Sequence, residues 1–173
     1  MKNILVILSI ITMTIAADTK ISGTTYFDYT IGKTQSGFNF NRQYIAFSGK
    51  ASDDLQYKVI FDIGRVAGDP LTVFLKKAQI DYKASFAKVS MGLIGMNTYG
   101  VQEKNWGYRF IEKSAMDLYG YSSTADLGIG FSKFINTDLN VSVQFVNGEG
   151  YKKPQQDKHH KISINATYGE GDL

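Results

Sequence analysis

Cysteine is absent from this chain of 173 residues, which holds only two prolines, two histidines and one tryptophan. The lack of cysteine excludes a disulfide framework and a thiolate metal site, and with them the small secreted domains that disulfides stabilise. Proline and leucine are scarce, whereas glycine, tyrosine and phenylalanine are abundant. This composition favours strands, turns and interfacial aromatic residues over helices.

Long apolar runs are also missing, except at the N-terminus. There Lys2 precedes a mostly apolar stretch, residues 4–15, and Ala16 and Ala17 supply small residues for cleavage. This order is typical of a signal peptide, and the stretch is shorter than the roughly 20 residues that a membrane-spanning helix needs. We therefore expect residues 1–17 to be a cleaved leader, with cleavage after Ala16 or Ala17 left open, and residues 18–173 to form the exported domain.

The chain carries no strong excess of one charge. Its 19 Lys and Arg residues, one of which lies in the leader, nearly balance 16 Asp and Glu residues. Nucleic-acid-binding proteins usually concentrate basic residues in a patch, so we expect no nucleic-acid partner.

Residues that would form an enzyme site are not recognisable. His159 and His160 are adjacent, so in a strand they would point to opposite faces and could not hold one metal together. No Ser/His/Asp arrangement, metal-ligand spacing or phosphate-binding glycine loop stands out. We expect no catalytic residue, no cofactor and no metal; a hydrolase embedded in a barrel is a minor alternative, because carboxylates are numerous.

Alternation of apolar and polar residues is what the chain has in abundance. It predicts strands over residues 20–31, 38–49, 55–63, 72–82, 87–94, 125–135, 139–145 and 162–168. Such segments of about ten residues behind a leader are typical of an antiparallel outer-membrane β-barrel, with one face on lipid and the other on a water-filled lumen. In the second segment Phe38 and Phe40 are four and two residues before Arg42, so regular alternation would turn all three side chains inward. We expect these two phenylalanines to lie beyond the membrane.

Connections between the predicted strands alternate in length. Those at 50–54, 83–86 and 136–138 are short, whereas those at 64–70, 95–124 and 147–158 are longer. Outer-membrane barrels show this asymmetry, with short periplasmic turns and long outer loops. A soluble β-sandwich alternates too, but it has no reason to sort its loops in this way.

The end of the chain repeats a signal seen at two short turns. Asp54–Leu55 and Asp138–Leu139 each open a strand, and Asp172–Leu173 repeats that step. We expect a ninth strand there, and hence the N-terminal eight-strand portion of a larger barrel of about 16 strands. A natural eight-strand barrel with a soluble tail is the alternative.

Short motifs resemble the phosphate-selective porin O and P family. They are GLIGMN at 92–97, FIEKS at 110–114, DLGI at 126–129 and RQYIAFSGK at 42–50. The resemblance spans most of residues 21–168 and implies a large barrel, often trimeric, whose third outer loop folds inward as a constriction. The chain departs from the family in lacking its ladder of basic residues, so the expectation is a general porin for ions and small hydrophilic solutes, with anions among them.

The loop at 96–123 is the chemically densest part of the chain, and we expect a short helix over residues 109–116. Charged side chains on this loop and on the inward parity of the strands are the pore and constriction candidates: Arg42, Lys58, Lys77, Lys88, Glu103, Lys104, Arg109, Glu112 and Lys113. Clusters of such side chains set ion selectivity in channels. Arg109, Glu112 and Lys113 are equally read as residues that pin the loop through ion pairs.

The expected partners are outer-membrane lipid, permeating solutes and, in the full-length protein, two further copies of the chain in a homotrimer. The expected location is the bacterial outer membrane, reached through the periplasm. A small non-conducting barrel with a structural or adhesive role is the alternative function.

Overall fold

A computed structural model describes residues 19–65 and 70–169. The predicted leader (1–17), part of the predicted loop 64–70 and the Asp172–Leu173 step lie outside these residues. In the described part, the strands are β1 (Lys20–Ile31), β2 (Ser36–Lys50), β3 (Leu55–Arg65), β4 (Leu71–Lys83), β5 (Lys88–Gly95), β6 (Ala125–Phe134), β7 (Leu139–Val146) and β8 (Lys161–Tyr168). The helices are α1 (Asn97–Trp106) and α2 (Ala115–Leu118).

The eight strands form one antiparallel sheet in chain order, so each strand pairs with its neighbours in sequence. This confirms the predicted all-β, antiparallel class and the eight predicted strands. Among the described residues β1 pairs only with β2 and β8 only with β7, so the sheet is not closed. None of the described helices is long and apolar enough to cross a membrane.

The pairing gives the sheet two chemically distinct faces. One row of facing residues, which defines the apolar face, consists of Leu55, Tyr82, Val89, Phe131, Val143 and Ile164. The next row, which defines the polar face, consists of Gln56, Asp81, Ser90, Gly130, Gln144 and Ser163. Because successive strand residues point to opposite sides, this separation continues along each strand.

A bulge in β2 corrects the expectation for Phe38 and Phe40. The pairing passes from Tyr26↔Arg42 to Phe27↔Phe40, which leaves Asn41 as an extra residue. An extra residue reverses the parity of everything before it in the strand. Phe38 therefore lies on the apolar face, where its ring is 4.8 Å from that of Tyr29, so the two phenylalanines need not lie beyond the membrane.

A second bulge lies in β4. There the pairing passes from Ile60↔Lys77 to Phe61↔Leu75 and leaves Lys76 as the extra residue. Leu75 thus shares the apolar face with Ala78, although the two are three residues apart and would lie on opposite faces of a regular strand. Both Lys76 and Lys77 are directed to the polar side, where both line the same cleft.

The residues between β5 and β6, which we name the crossing loop (96–124), pack on the polar face. Tyr99 of α1 and Met96 are buried against Ile94 of β5 and Val146 of β7, with Met116 beside them. The Tyr99 hydroxyl donates to the backbone oxygens of Ser122 and Met116. This small core attaches the loop to the sheet.

The helix predicted over residues 109–116 is wrong. α1 ends before this range and α2 overlaps only its last two residues, whereas residues 109–111 form a turn. Gly107 adopts a left-handed conformation with φ 66° and ends α1, as glycine commonly does at helix C-termini. The Trp106 indole Nε1 then donates to the Glu112 backbone oxygen over 2.9 Å, which holds the turn in place.

Candidate functional site on the polar face

Charged side chains of the strands are segregated by face. On the apolar face only Arg65 and Lys133 carry charge, and both lie at strand ends. The polar face carries the rest: Lys20, Asp28, Arg42, Lys50, Lys58, Asp62, Lys76, Lys77, Asp81, Lys83, Lys88, Asp126 and Lys161. The polar face is therefore the place to look for a site.

The apolar face is open to its surroundings. Ile21 is 67% exposed, Ile162 65% and Ile164 72%. Exposed apolar side chains also lie on inner strands, namely Phe38 of β2, Leu75 of β4, Leu127 of β6 and Phe145 of β7. The exposed apolar surface therefore extends across the sheet and is not confined to its edges. Soluble monomers seldom expose apolar patches of such extent.

Asn97 anchors the crossing loop to the last two strands. Its side-chain amide donates to Ser142 Oγ of β7 over 3.0 Å, and its Oδ1 accepts from Ser163 Oγ of β8 over 2.6 Å. Its backbone N–H donates to Gln144 Oε1 over 2.9 Å. One end of the loop is thus fixed at the β7–β8 side of the polar face.

Arg109 attaches the other part of the crossing loop to the opposite side of the sheet. Its guanidinium lies over the ring of Tyr26 in β1, 5.3 Å from the centroid. Tyr26 in turn meets Tyr44 of β2 edge to face, with centroids 6.3 Å apart. The ammonium of Lys76 lies 4.4 Å from the Tyr44 centroid. The loop therefore crosses the polar face from β8 to β1.

Two adjoining clefts separate the crossing loop from the sheet. The lysine cleft, about 320 Å³, is lined by Lys58, Lys76 and Lys77 and by Glu103 of α1. The aromatic cleft, about 230 Å³, is lined by Tyr26, Tyr44, Lys76, Glu103, Trp106, Arg109 and Ser114. Lys76 and Glu103 belong to both, so they stand at the junction of the clefts.

A third group joins strands that are far apart in the sheet. Asp62 of β3 is 1% exposed, and its Oδ2 accepts from Arg42 Nη1 over 3.3 Å and from the Tyr151 hydroxyl over 2.8 Å. Tyr151 belongs to the β7–β8 loop (residues 147–160), and its backbone N–H donates to the Ala125 oxygen of β6 over 3.0 Å. Tyr151 thus links β6 to β3 across the polar face.

The surroundings of the β7–β8 loop shift the pKa values of two of its side chains, Tyr151 and Lys152. Burial, followed by the negative charge of Asp62, raises the pKa of Tyr151, so its phenol stays neutral and donates to the carboxylate. Burial, followed by the positive charge of Arg42, lowers the pKa of Lys152. Burial together with Asp117 likewise raises the pKa of Tyr99 in the crossing loop.

The sequence-predicted candidates divide into three groups. Lys58, Lys77, Glu103 and Arg109 come together around the adjoining clefts. Arg42 lies instead in the Asp62 ion pair, and Lys88 lines a separate cleft of about 330 Å³ that it shares with Lys77. The remaining three, Lys104, Glu112 and Lys113, line none of these clefts. The Glu112 carboxylate accepts from the Lys113 backbone N–H over 2.8 Å.

Sequence reasoning missed Lys76, Asp62, Tyr44 and Tyr151. For Lys76 a signal existed: the apolar parity of β4 changes between Leu75 and Ala78, and such a change indicates a bulge. For Asp62 and Tyr44 the alternation of their strands already predicts that the side chains face inward. For Tyr151 no local pattern indicates a contact with a residue so distant in sequence.

The arrangement provides polar clefts with charges of both signs on their walls. In the described ranges, 19–65 and 70–169, no group of three or more His, Asp and Glu side chains is placed to hold a metal ion. Comparison with known proteins supplies no name for such a site. No family model, curated protein or solved structure matches this chain.

Proposed function

We propose that this chain forms the wall of an outer-membrane porin, a channel through which ions and small hydrophilic solutes diffuse. The observation that carries the proposal is the segregation of charge. One face of the sheet is exposed, apolar and free of charge except at strand ends, whereas the other collects the charges and the inward loop. Lipid would solvate the first face and water the second.

In the described sheet the outer edges of β1 and β8 have no strand partner, and a closed barrel would have to supply one for each. In lipid an open edge leaves backbone N–H and C=O groups unsatisfied, at a cost of several kcal/mol each. These edges must therefore pair in the membrane, and we propose that further strands of a larger barrel of about 16 strands supply the partners. The porin resemblance of the sequence motifs supports this choice, together with a homotrimeric assembly.

The crossing loop is the proposed constriction. It is tied to β7 and β8 through Asn97 and to β1 through Arg109, so it stays inside the polar space. Its Glu103 faces Lys58 and Lys77 across the lysine cleft. Mixed charges at a narrow point tune ion preference electrostatically, without a committed substrate site.

Planar bilayers test the proposal. The natural polypeptide that contains this sequence should insert and produce reproducible stepwise conductance. Glu103→Lys should shift the reversal potential in a salt gradient toward anion preference, whereas Glu149→Lys, on the other long loop and outside both clefts, should not. A protein that inserts but never conducts would instead be the non-conducting structural barrel, and one that folds without detergent would be a soluble β-sandwich.

A further inference from the structure

The aromatic cleft holds opposite charges that face each other without pairing. Glu103 approaches from α1, and Lys76 and Arg109 approach from β4 and the turn that follows α1. The one ion pair within 4.0 Å among the described residues is Arg42–Asp62, so Glu103 is bridged to neither base. Unpaired opposite charges on two sides of one small cleft match a ligand that carries both charges itself.

A buried polar atom points to the same conclusion. Ser114 lines the aromatic cleft, is 2% exposed, and its Oγ has no hydrogen-bond partner among the described residues. Buried hydroxyls are normally bonded, so this hydroxyl has unused hydrogen-bonding capacity beside the cleft, which a rotation of its side chain would make available to a ligand.

The volume and the lining residues of the aromatic cleft limit the kinds of ligand that it can bind. Its volume of about 230 Å³ lies below the roughly 300–1,000 Å³ that drug-sized ligands occupy, so the ligand is small. Arg109 and Lys76 already cover the faces of Tyr26 and Tyr44, which leaves little room for a sugar to stack. The carboxylate of Glu103 disfavours a purely anionic ligand.

We propose that the aromatic cleft is a subsite for a free zwitterionic α-amino acid. The ligand carboxylate binds Arg109 and Lys76, its ammonium binds Glu103, and its apolar side chain lies against Trp106. Ser114 Oγ completes the hydrogen bonding. This inference rests on the proposed function, because the cleft lies beside the constriction and would select solutes that pass it.

Trp106 lines the cleft and is the single tryptophan of these 173 residues, so a fluorescence change that is lost in Trp106→Phe reports the cleft, whether or not the protein conducts. The natural polypeptide, folded in detergent, is titrated with L-leucine, with 4-methylpentanoate, which lacks the ammonium, and with isopentylamine, which lacks the carboxylate. We expect a saturable change with leucine and an affinity at least tenfold weaker for either analogue. Equal responses to all three, or saturation by phosphate at the same concentration, would overturn the proposal.

Glu103→Gln is the first variant, because the Glu103 side chain is exposed and makes no hydrogen bond within the described chain, so the fold does not depend on it. It should weaken leucine binding about tenfold and strengthen the binding of 4-methylpentanoate, because the variant no longer repels the ligand carboxylate. Glu149→Gln, which removes an acid outside the cleft, should leave both unchanged. If Glu103→Gln binds leucine like the parent, the ammonium site is wrong.

Conductance recorded on the same samples separates the two proposals. A protein that conducts but shows no leucine-dependent fluorescence is a porin without this subsite. A protein that binds leucine with the expected analogue pattern but does not conduct retains the subsite and contradicts the porin.

Discussion

Tyr151 is a single side chain that holds distant strands together, because it joins Ala125 of β6 to Asp62 of β3. Asp62 is buried, and its Oδ1 has no partner among the described residues, so the hydrogen bonds to its carboxylate come from Arg42 and Tyr151 at Oδ2. Tyr151→Phe should lower the free energy of unfolding by about 1–3 kcal/mol, since it leaves a buried acceptor less satisfied. Urea titration in detergent measures this, with the 74% exposed Tyr121 changed to Phe as the control.

The same contact should fail at high pH. The folded pKa of Tyr151 is raised above its ordinary value of 10.0, so folding favours the protonated phenol. The stability that Tyr151 contributes is complete below its ordinary pKa and is lost as the pH rises from there toward the raised pKa of the folded protein. We expect parent stability to fall more between pH 9 and pH 11 than that of Tyr151→Phe; parallel declines would show that the contact does not contribute.

At the scale of one element, the crossing loop should limit conductance. Residues 101–116 hold Glu103 and Arg109, which fill the space between the clefts, whereas Asn97 and its anchors lie outside this stretch. Deleting 101–116 should therefore raise single-channel conductance while the sheet still folds. Unchanged conductance of the deletion variant, together with cleavage of the parent loop by protease added from outside, would place these charges on the external surface.

The bulge in β2 gives a second test at this scale. Deleting Asn41 removes the extra residue and makes Phe40 the direct neighbour of Arg42, so the pairing becomes regular and Phe38 and Phe40 stay on the apolar face. Deleting Ala46, a regularly paired residue of the same strand, instead reverses the residues between it and the bulge and moves Arg42 away from Asp62. The Ala46 deletion should lower the free energy of unfolding by more than about 3 kcal/mol and the Asn41 deletion by far less; equal losses would mean that Asn41 is not the extra residue.

At the scale of the whole molecule, the two faces can be compared within one strand. Val143 lies on the apolar face and Asn140 on the polar face of β7. Val143→Arg should impair insertion, because arginine at the bilayer midplane costs roughly 2–4 kcal/mol, whereas Asn140→Arg should insert normally. Heat-modifiable migration after refolding into lipid vesicles measures insertion, and normal behaviour of Val143→Arg would make the apolar face a packing surface.

Much of this architecture could be predicted from the sequence, because alternation is local and each strand pairs with its neighbour. The eight strands follow the predicted ranges within a few residues at each end. The two bulges were missed, since one inserted residue such as Lys76 is visible only as a change of parity. The helix over 109–116 was wrong because its charge spacing fits a turn as well, and the bond from the Trp106 indole to the Glu112 backbone oxygen that holds this turn leaves no periodic pattern. The contact of Tyr151 with Asp62 depends on how the loop folds back, which no short-range pattern encodes.

Pairing in chain order has a consequence for how such a sheet can change in size. A hairpin added or removed at an edge leaves every other strand pair intact, so the width of the sheet can change by one hairpin at a time. The inward loops limit this freedom: Asn97 ties the β5–β6 connection to β8, Arg109 ties it to β1, and Tyr151 ties β6 to β3. These contacts together span the described sheet from β1 to β8, so strands can be added without breaking them only outside this sheet.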